Sequence, residues 1–359
     1  MGLRDYYRQF EAMPPEEISA ELRARRDERR RTAVSKVDPL DLSGTTWHEP
    51  PHPDAVNAAT FALRRAVNEP PDLAATALRE ALAAHHGVAV AQVAVGHGAG
   101  ELLRALLGRV VAGGGEALVA WPGWQPLPAL VEGAGGVAVP VAPAAPALLA
   151  RAGERTRAVI VTSPSDPTGE RLSRRALRDL RSRLPEQALL IVDEALGEFA
   201  PGGDDAAGLV ANLPGLVVLR SFSKGHAMAG LRVGAALGPA ELVGRLGPSG
   251  GVGAPGQAAA AWALTSDGLA LARRRRAAAA AAHRQLAAAL AGSPLAAAPA
   301  GVPFAWLSSD AEDGPALAAR LAAAQVFVAP GRLWGDERHV RAALRGPEAV
   351  DRLAGALRG

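Results

Sequence analysis

Lys36 and Lys224 are the only lysines in a chain that otherwise draws its fixed positive charge from arginine. Arginine can replace lysine on a surface, but no other side chain offers a primary amine able to form an imine with a carbonyl. Lys224 stands in the run Ser221-Phe222-Ser223-Lys224-Gly225-His226-Ala227-Met228-Ala229-Gly230-Leu231-Arg232. Two hydroxyls, Ser221 and Ser223, closely precede the amine, and an arginine eight residues on can grip a phosphate through two parallel hydrogen bonds. Nearby cations favour the neutral, nucleophilic form of an amine. Lys36 lies in a charged N-terminal stretch with no such company.

Three further groups could serve the same chemistry. In Gly96-His97-Gly98-Ala99-Gly100-Glu101 the glycines permit a tight turn, and a helix starting there offers free N–H groups to an anion. A glycine-rich turn with no ligand has the same appearance. Trp124 follows Trp121-Pro122-Gly123, where an indole can stack on a flat heteroaromatic ring or pack into the core. Asp193 and Glu194 close the apolar run Ala188-Leu189-Leu190-Ile191-Val192. A carboxylate at a buried strand end needs a partner. A protonated pyridine nitrogen is one, and would make the ring an electron sink. A helix cap or a structural ion pair is another.

These groups need elements to carry them. Apolar runs alternate with helical segments in the β/α manner of a mainly parallel sheet. Strands are predicted at 92–95, 116–120, 158–162, 188–195, 216–221 and 232–238, with helices over 101–111 and from a Ser173 N-cap. The polar groups fall at the carboxyl ends of these strands, where open α/β sheets bind ligands. After about residue 250 the texture changes to alanine-rich helices (256–291), short strands at 304–308, 326–329 and 339–344, and a closing helix from Pro347. The expected organisation is a large domain over 45–250. A smaller α+β domain would combine residues 1–44, a helical charged arm, with 251–359.

The composition narrows the class. Hydrophobic residues make up 49% and charged residues 21%, which fits a globular chain. No cysteine is present, so neither disulfides nor thiolate metal sites are expected, and no metal ligand set is assigned. Net charge is +3, with basic residues dispersed among acidic ones. The cluster Arg273–Arg276 reads as a solvated helix face, and no nucleic-acid partner is expected. The start lacks an apolar signal region, and the Ala277–Ala291 run is broken by His283, Arg284 and Gln285. A cytoplasmic protein with no membrane partner is the expectation.

The run SFSKGHAMAGLRVG resembles the pyridoxal-5′-phosphate (PLP) lysine signature of class I/II aminotransferases. GHGAGE, WPGW, SPSDPTG, VDEAL and HVRAAL follow the family's motif order from about residue 40 to the C-terminus. The texture is most similar to the histidinol-phosphate aminotransferase and threonine-phosphate decarboxylase branch. The resemblance implies an α/β, fold-type I PLP-dependent transferase. Lys224 would hold PLP as a Schiff base and move protons, and Asp193 would pair with the pyridine nitrogen. Trp124 would stack on the ring, while Gly98, Ala99, Gly100, Ser221, Ser223 and Arg232 would hold the phosphate. Arg341 would grip a substrate α-carboxylate. Thr45, Thr46, Trp47, His48, His226, Arg332 and Trp334 would lie around the substrate, an amino acid or related amine. The family usually forms homodimers, and a homodimer is implied here.

The chain also departs from the pattern. The family's NPTG asparagine, a donor to the cofactor's phenolic oxygen, is Asp166. The tyrosine of DEAY is Leu196, and Asn68-Glu69-Pro70 stands where a tyrosine usually crosses the dimer. The implied activity is transamination. The alternative on the same fold is decarboxylation, elimination or side-chain replacement.

Overall fold

A computed structural model describes residues 38–358 apart from 201–204, 248–249 and 298–300, together with scattered residues between 14 and 28. The expected N-terminal arm, including Tyr6, Tyr7 and Lys36, lies largely outside the described residues.

In chain order the elements that matter are β1 (Leu40–Asp41), α1 (Pro53–Ala66), β2 (Val93–Gly96), α2 (Ala99–Val110), β3 (Glu116–Ala120), β4 (Val137–Val141), β5 (Thr156–Thr162), α3 (Arg174–Arg183), β6 (Leu189–Glu194), β7 (Leu216–Ser221) and β8 (Gly234–Leu237). Then come α4 (Ala254–Ala263), α5 (Ser266–Leu290), β9 (Leu295–Ala297), β10 (Phe304–Ser309), β11 (Val326–Phe327), β12 (Ala329–Pro330), β13 (His339–Ala343) and α6 (Gly346–Arg358). Seven strands form one sheet in the order β2-β8-β7-β6-β5-β3-β4. Its pairings are parallel except those of β8, which runs antiparallel to both β2 and β7. An antiparallel sheet, β12-β13-β10-β9, and a parallel pair, β1-β11, complete the strands.

The sheet is central because its strands are apolar on both faces. Leu190 and Val192 of β6 join one core with Val218 of β7 and with Ala259 and Ala260 of α4. Ile191, Val217 and Leu219 face the other core, with Leu102, Leu103 and Leu106 of α2. Thus α4 packs on the large sheet, although it follows the change of texture near residue 250. A third core joins Leu286 and Leu290 of α5, Ala305 and Leu307 of β10, and Leu353 and Leu357 of α6.

The predicted strands and helices occur with shifts of a few residues, and Ser173 caps α3 by accepting from the Ala176 N–H. The run 326–329 divides instead, Val326–Phe327 pairing with β1 and Ala329–Pro330 with β13. Strand β4 is not anticipated because it contains Pro140. It lies at the sheet edge, where a missing N–H breaks no inner ladder. The arginine cluster also needs correction. Arg273 and Arg274 are exposed, but Arg275 is buried and donates to the Gly225 carbonyl at 2.9 Å. Arg276 donates to the Ala200 carbonyl at 2.9 Å. Burying these guanidinium stems fixes α5 to the loops of the large sheet. Among the described residues no helix is long and apolar enough to cross a membrane.

Candidate active site

Strand alternation assigns the first side chains. Asp193 shares its face of β6 with Ile191, and Ser221 shares its face of β7 with Leu219. Both reach one cavity of about 690 Å³ at the carboxyl ends of the strands. Asp193 is buried, and its Oδ1 accepts from the Ala195 N–H at 2.8 Å. No cationic side chain pairs with it directly among the described residues. Burial pushes the carboxyl up to about 6, against the pull of the Ala195 N–H and the Lys224 amine.

Lys224 sits on the loop after β7. The loop is closed by Ala227 N–H to Lys224 O (3.1 Å) and Met228 N–H to Phe222 O (3.0 Å), and Arg275 anchors it at Gly225. The amine lies in the same cavity and donates to Thr45 Oγ1. Burial lowers the Lys224 pKa; Asp166 opposes this, while Arg341 adds to it. Such an amine gives up its proton more readily than a surface lysine.

The far end of the cavity is built for an anion. Gly98 starts α2 with φ +90° and no side-chain cap, so the first N–H groups of a 12-residue helix stay available. A Cβ on Gly98 would come within 2.8 Å of Arg232 Nη2, and one on Gly100 within 3.2 Å of Trp124. Only glycine therefore leaves the arginine and the indole where they are. Arg232 donates to Ser223 Oγ at 3.4 Å, and no carboxylate pairs with it among the described residues. Ser221, Ser223, Ala99, Gly100, Trp124 and Arg232 all line the cavity.

Asp166 and Arg341 close the opposite side. Arg341, on β13, is buried; its Nη1 meets Asp166 Oδ1 at 2.5 Å and its Nη2 donates to Ser43 O at 2.8 Å. The guanidinium carbon stands 4.5 Å from the Trp334 ring centroid and 5.6 Å from that of Phe304. The family resemblance implies Arg341 on a substrate carboxylate and places Asp166 at the position that faces the cofactor's phenolic oxygen. The structure joins them in one ion pair.

Thr45, Thr46 and Trp334 line the cavity. Trp47 does not. Its ring is buried with Leu196, Phe199 and Phe304, and its Nε1 donates to Glu49 Oε2 at 2.9 Å. This correction follows from chain alternation, which turns the large apolar ring inward between two polar neighbours. His226 faces the other side of the sheet, 3.4 Å from Glu198. His48 and Arg332 are exposed and do not line the cavity. Ser43 and Arg275 are the contributors that the sequence hides. One acts through its backbone carbonyl and the other from a helix fifty residues away.

The set fits PLP. An arginine with no carboxylate partner among the described residues and a bare helix start suit a phosphate, a buried carboxylate with no cation beside it suits a pyridinium, and an amine lies in the same cavity. The aminotransferase class I and II family matches residues 39–357, and the chain belongs to that family. It is 38% identical over 195 residues to the aromatic amino acid aminotransferase of Corynebacterium jeikeium, spanning 52% of this chain and 51% of that protein. It is 40% identical over 202 residues to the histidinol-phosphate aminotransferase of Rubrobacter xylanophilus, spanning 54% and 57%. The chain therefore spans about half the length of these curated relatives. The structure of histidinol-phosphate aminotransferase from Sinorhizobium meliloti in complex with PLP superimposes with a TM-score of 0.80 at 25% identity, over 92% of each chain. A double mutant of Thermus thermophilus aspartate aminotransferase gives 0.80 at 26% identity, over 98% of this chain and 99% of that one. The fold is that of the fold-type I transferases.

Proposed function

We propose that the chain is a PLP-dependent aminotransferase that takes the amino group from an amino acid or related amine. The observation that carries this is the meeting of Lys224, the unpaired Asp193 and the Arg232–α2 cradle in one cavity. PLP, when bound, supplies an electron sink for the pair left at the substrate's Cα. Asp193 would pair with the protonated ring nitrogen, and its raised pKa would fall back with a cation beside it. Lys224, with its pKa lowered by burial, would be the residue that takes and returns the substrate's Cα proton. Trp124, which lines the cavity, would stack on the ring. Gly98, Ala99, Gly100, Ser221, Ser223 and Arg232 hold the phosphate.

The second reading keeps these residues and changes the bond broken, to decarboxylation, elimination or replacement. It draws on Asp166 and Leu196, neither of which supplies the donor that usually faces the phenolic oxygen. The test is an amine-transfer assay with a panel of amines and a 2-oxo acid acceptor. Formation of a new amino acid from the acceptor supports transfer. Release of carbon dioxide or ammonia without acceptor turnover supports the second reading. We also propose a cytoplasmic homodimer. Phe61, Val67 and Leu73 are exposed apolar side chains on α1 and the segment after it, surface that a second copy would cover.

A further inference from the structure

We infer that Thr45 and Arg275 are positioning residues for Lys224, closing a ring of contacts that holds its amine at one place in the cavity. The inference rests on the reading above, because it concerns the amine which that reading makes reactive.

A lysine carries its amine on a flexible four-carbon stem, so a fixed amine needs holding at both ends of the stem. At the tip, the Lys224 amine donates to Thr45 Oγ1, on a buried residue. An N–H given to Thr45 orients the nitrogen and leaves its lone pair free to attack a carbonyl carbon or take a proton. At the base, the Gly225 carbonyl accepts from Arg275 Nη1 at 2.9 Å. A Cβ on Gly225 would lie 2.6 Å from Glu198 Cβ, so the backbone there is already in close contact.

Thr45 belongs to residues 42–50, which form neither helix nor strand. Such a segment has no hydrogen-bonded ladder of its own, and single contacts set its place. Arg341 Nη2 donates to the Ser43 carbonyl at 2.8 Å on one side of Thr45, and Arg275 Nη2 donates to the Pro50 carbonyl at 3.3 Å on the other. Between them the Trp47 ring stacks on Phe199 at 5.9 Å, and the Arg275 guanidinium carbon stands 5.6 Å from the Trp47 ring centroid. Arg275 Nε makes no hydrogen bond, and Glu49 lies 3.9 Å from it. One buried guanidinium, reaching in from α5, thus holds both the loop that carries Lys224 and the segment that receives its amine. The ring runs from Lys224 Nζ to Thr45, along the backbone to Pro50, through the two terminal nitrogens of Arg275 to Gly225, and back to Lys224. A planar fork spans two carbonyls in this way, and a single ammonium does not.

The experiment gives PLP to the full chain and follows the rate at which the cofactor's visible band appears. Thr45→Val and Arg275→Met are each expected to capture PLP ~10-fold more slowly than the wild type, and Thr45→Ser, which keeps the hydroxyl, to stay within ~3-fold of it. Because both changes open the same ring, the double variant is expected to be about as slow as Arg275→Met alone, whereas independent effects would multiply to ~100-fold. Multiplied losses overturn the inference. Wild-type capture by Thr45→Val also overturns it, even where Arg275→Met does not fold. A wild type with no visible band fails the PLP reading itself, and reductive methylation then tests the contact, with Lys36, the only other lysine, as internal reference. The Thr45 hydroxyl favours the charged amine, so Thr45→Val is expected to raise methylation of Lys224 relative to Lys36 by ~3-fold or more. An unchanged ratio overturns the inference.

Discussion

Asp193 and Glu194 are neighbours on one strand, yet they lie in opposite kinds of environment. Asp193 faces the open cavity with one backbone donor and no cation. Glu194 faces the opposite core, where Arg220 Nη1 meets it at 3.1 Å and the Ala206 N–H at 2.5 Å. Arg220 also holds Glu198 at 2.8 Å, and His226 lies 3.4 Å from the same carboxyl. Burial pushes Glu194 up to about 7 against the pull of Arg220 and the Ala206 N–H, whereas at Glu198 burial is outweighed by Arg220 and His226, which hold that carboxyl at about 2. The same burial leaves Asp193 at about 6. On one side of β6 the protein supplies the cation, Arg220, although Glu198 Oε2 stays buried without a partner; on the other, Asp193 has no cationic partner among the described residues. A single step of strand alternation separates the carboxyl that meets an internal cation from the one that faces the cavity.

The comparison breaks most visibly at Arg220. Arg220→Ala leaves two carboxylates buried without their cation, and should cost ~3–5 kcal/mol in denaturant unfolding. A loss under ~1 kcal/mol would mean that the network is not the structural half. Asp193→Asn should act in the opposite direction on the cofactor-free protein. The folded state holds this proton more tightly than an unfolded chain with a pKa of 3.8, so stability falls as pH rises from 3.8 through about 6. Above that the cost is fully present, and the asparagine variant should gain up to ~3 kcal/mol. The gain should shrink as pH falls toward 3.8, and the variant should no longer retain PLP. Gly98→Ala forces a side chain into φ +90° and onto Arg232. It should weaken PLP binding ~10-fold and cost ~1 kcal/mol of stability. At the bottom of the scale, Arg274→Ala on the exposed face of α5 should stay within ~0.5 kcal/mol in the same unfolding assay.

The central sheet was legible because its strands are continuous apolar runs, and Lys224 because a rare residue sits among phosphate-binding types. Asp193 was legible as a carboxylate in need of a partner. What could not be read was pairing across the chain. Nothing local to Asp166 says that Arg341, 175 residues away, will meet it. Nothing in the arginine cluster says that the third of its four members turns inward to hold the Lys224 loop. Trp47 and His226 carry the right chemistry but fall on the wrong side of their segments. Direction along a loop depends on packing that only the assembled chain supplies.

The most direct measurement is borohydride reduction of the PLP-loaded protein followed by peptide mapping. The account predicts loss of the visible imine band and a single pyridoxyl label on the peptide that carries Lys224. A label on Lys36, or no label on either lysine, would contradict it.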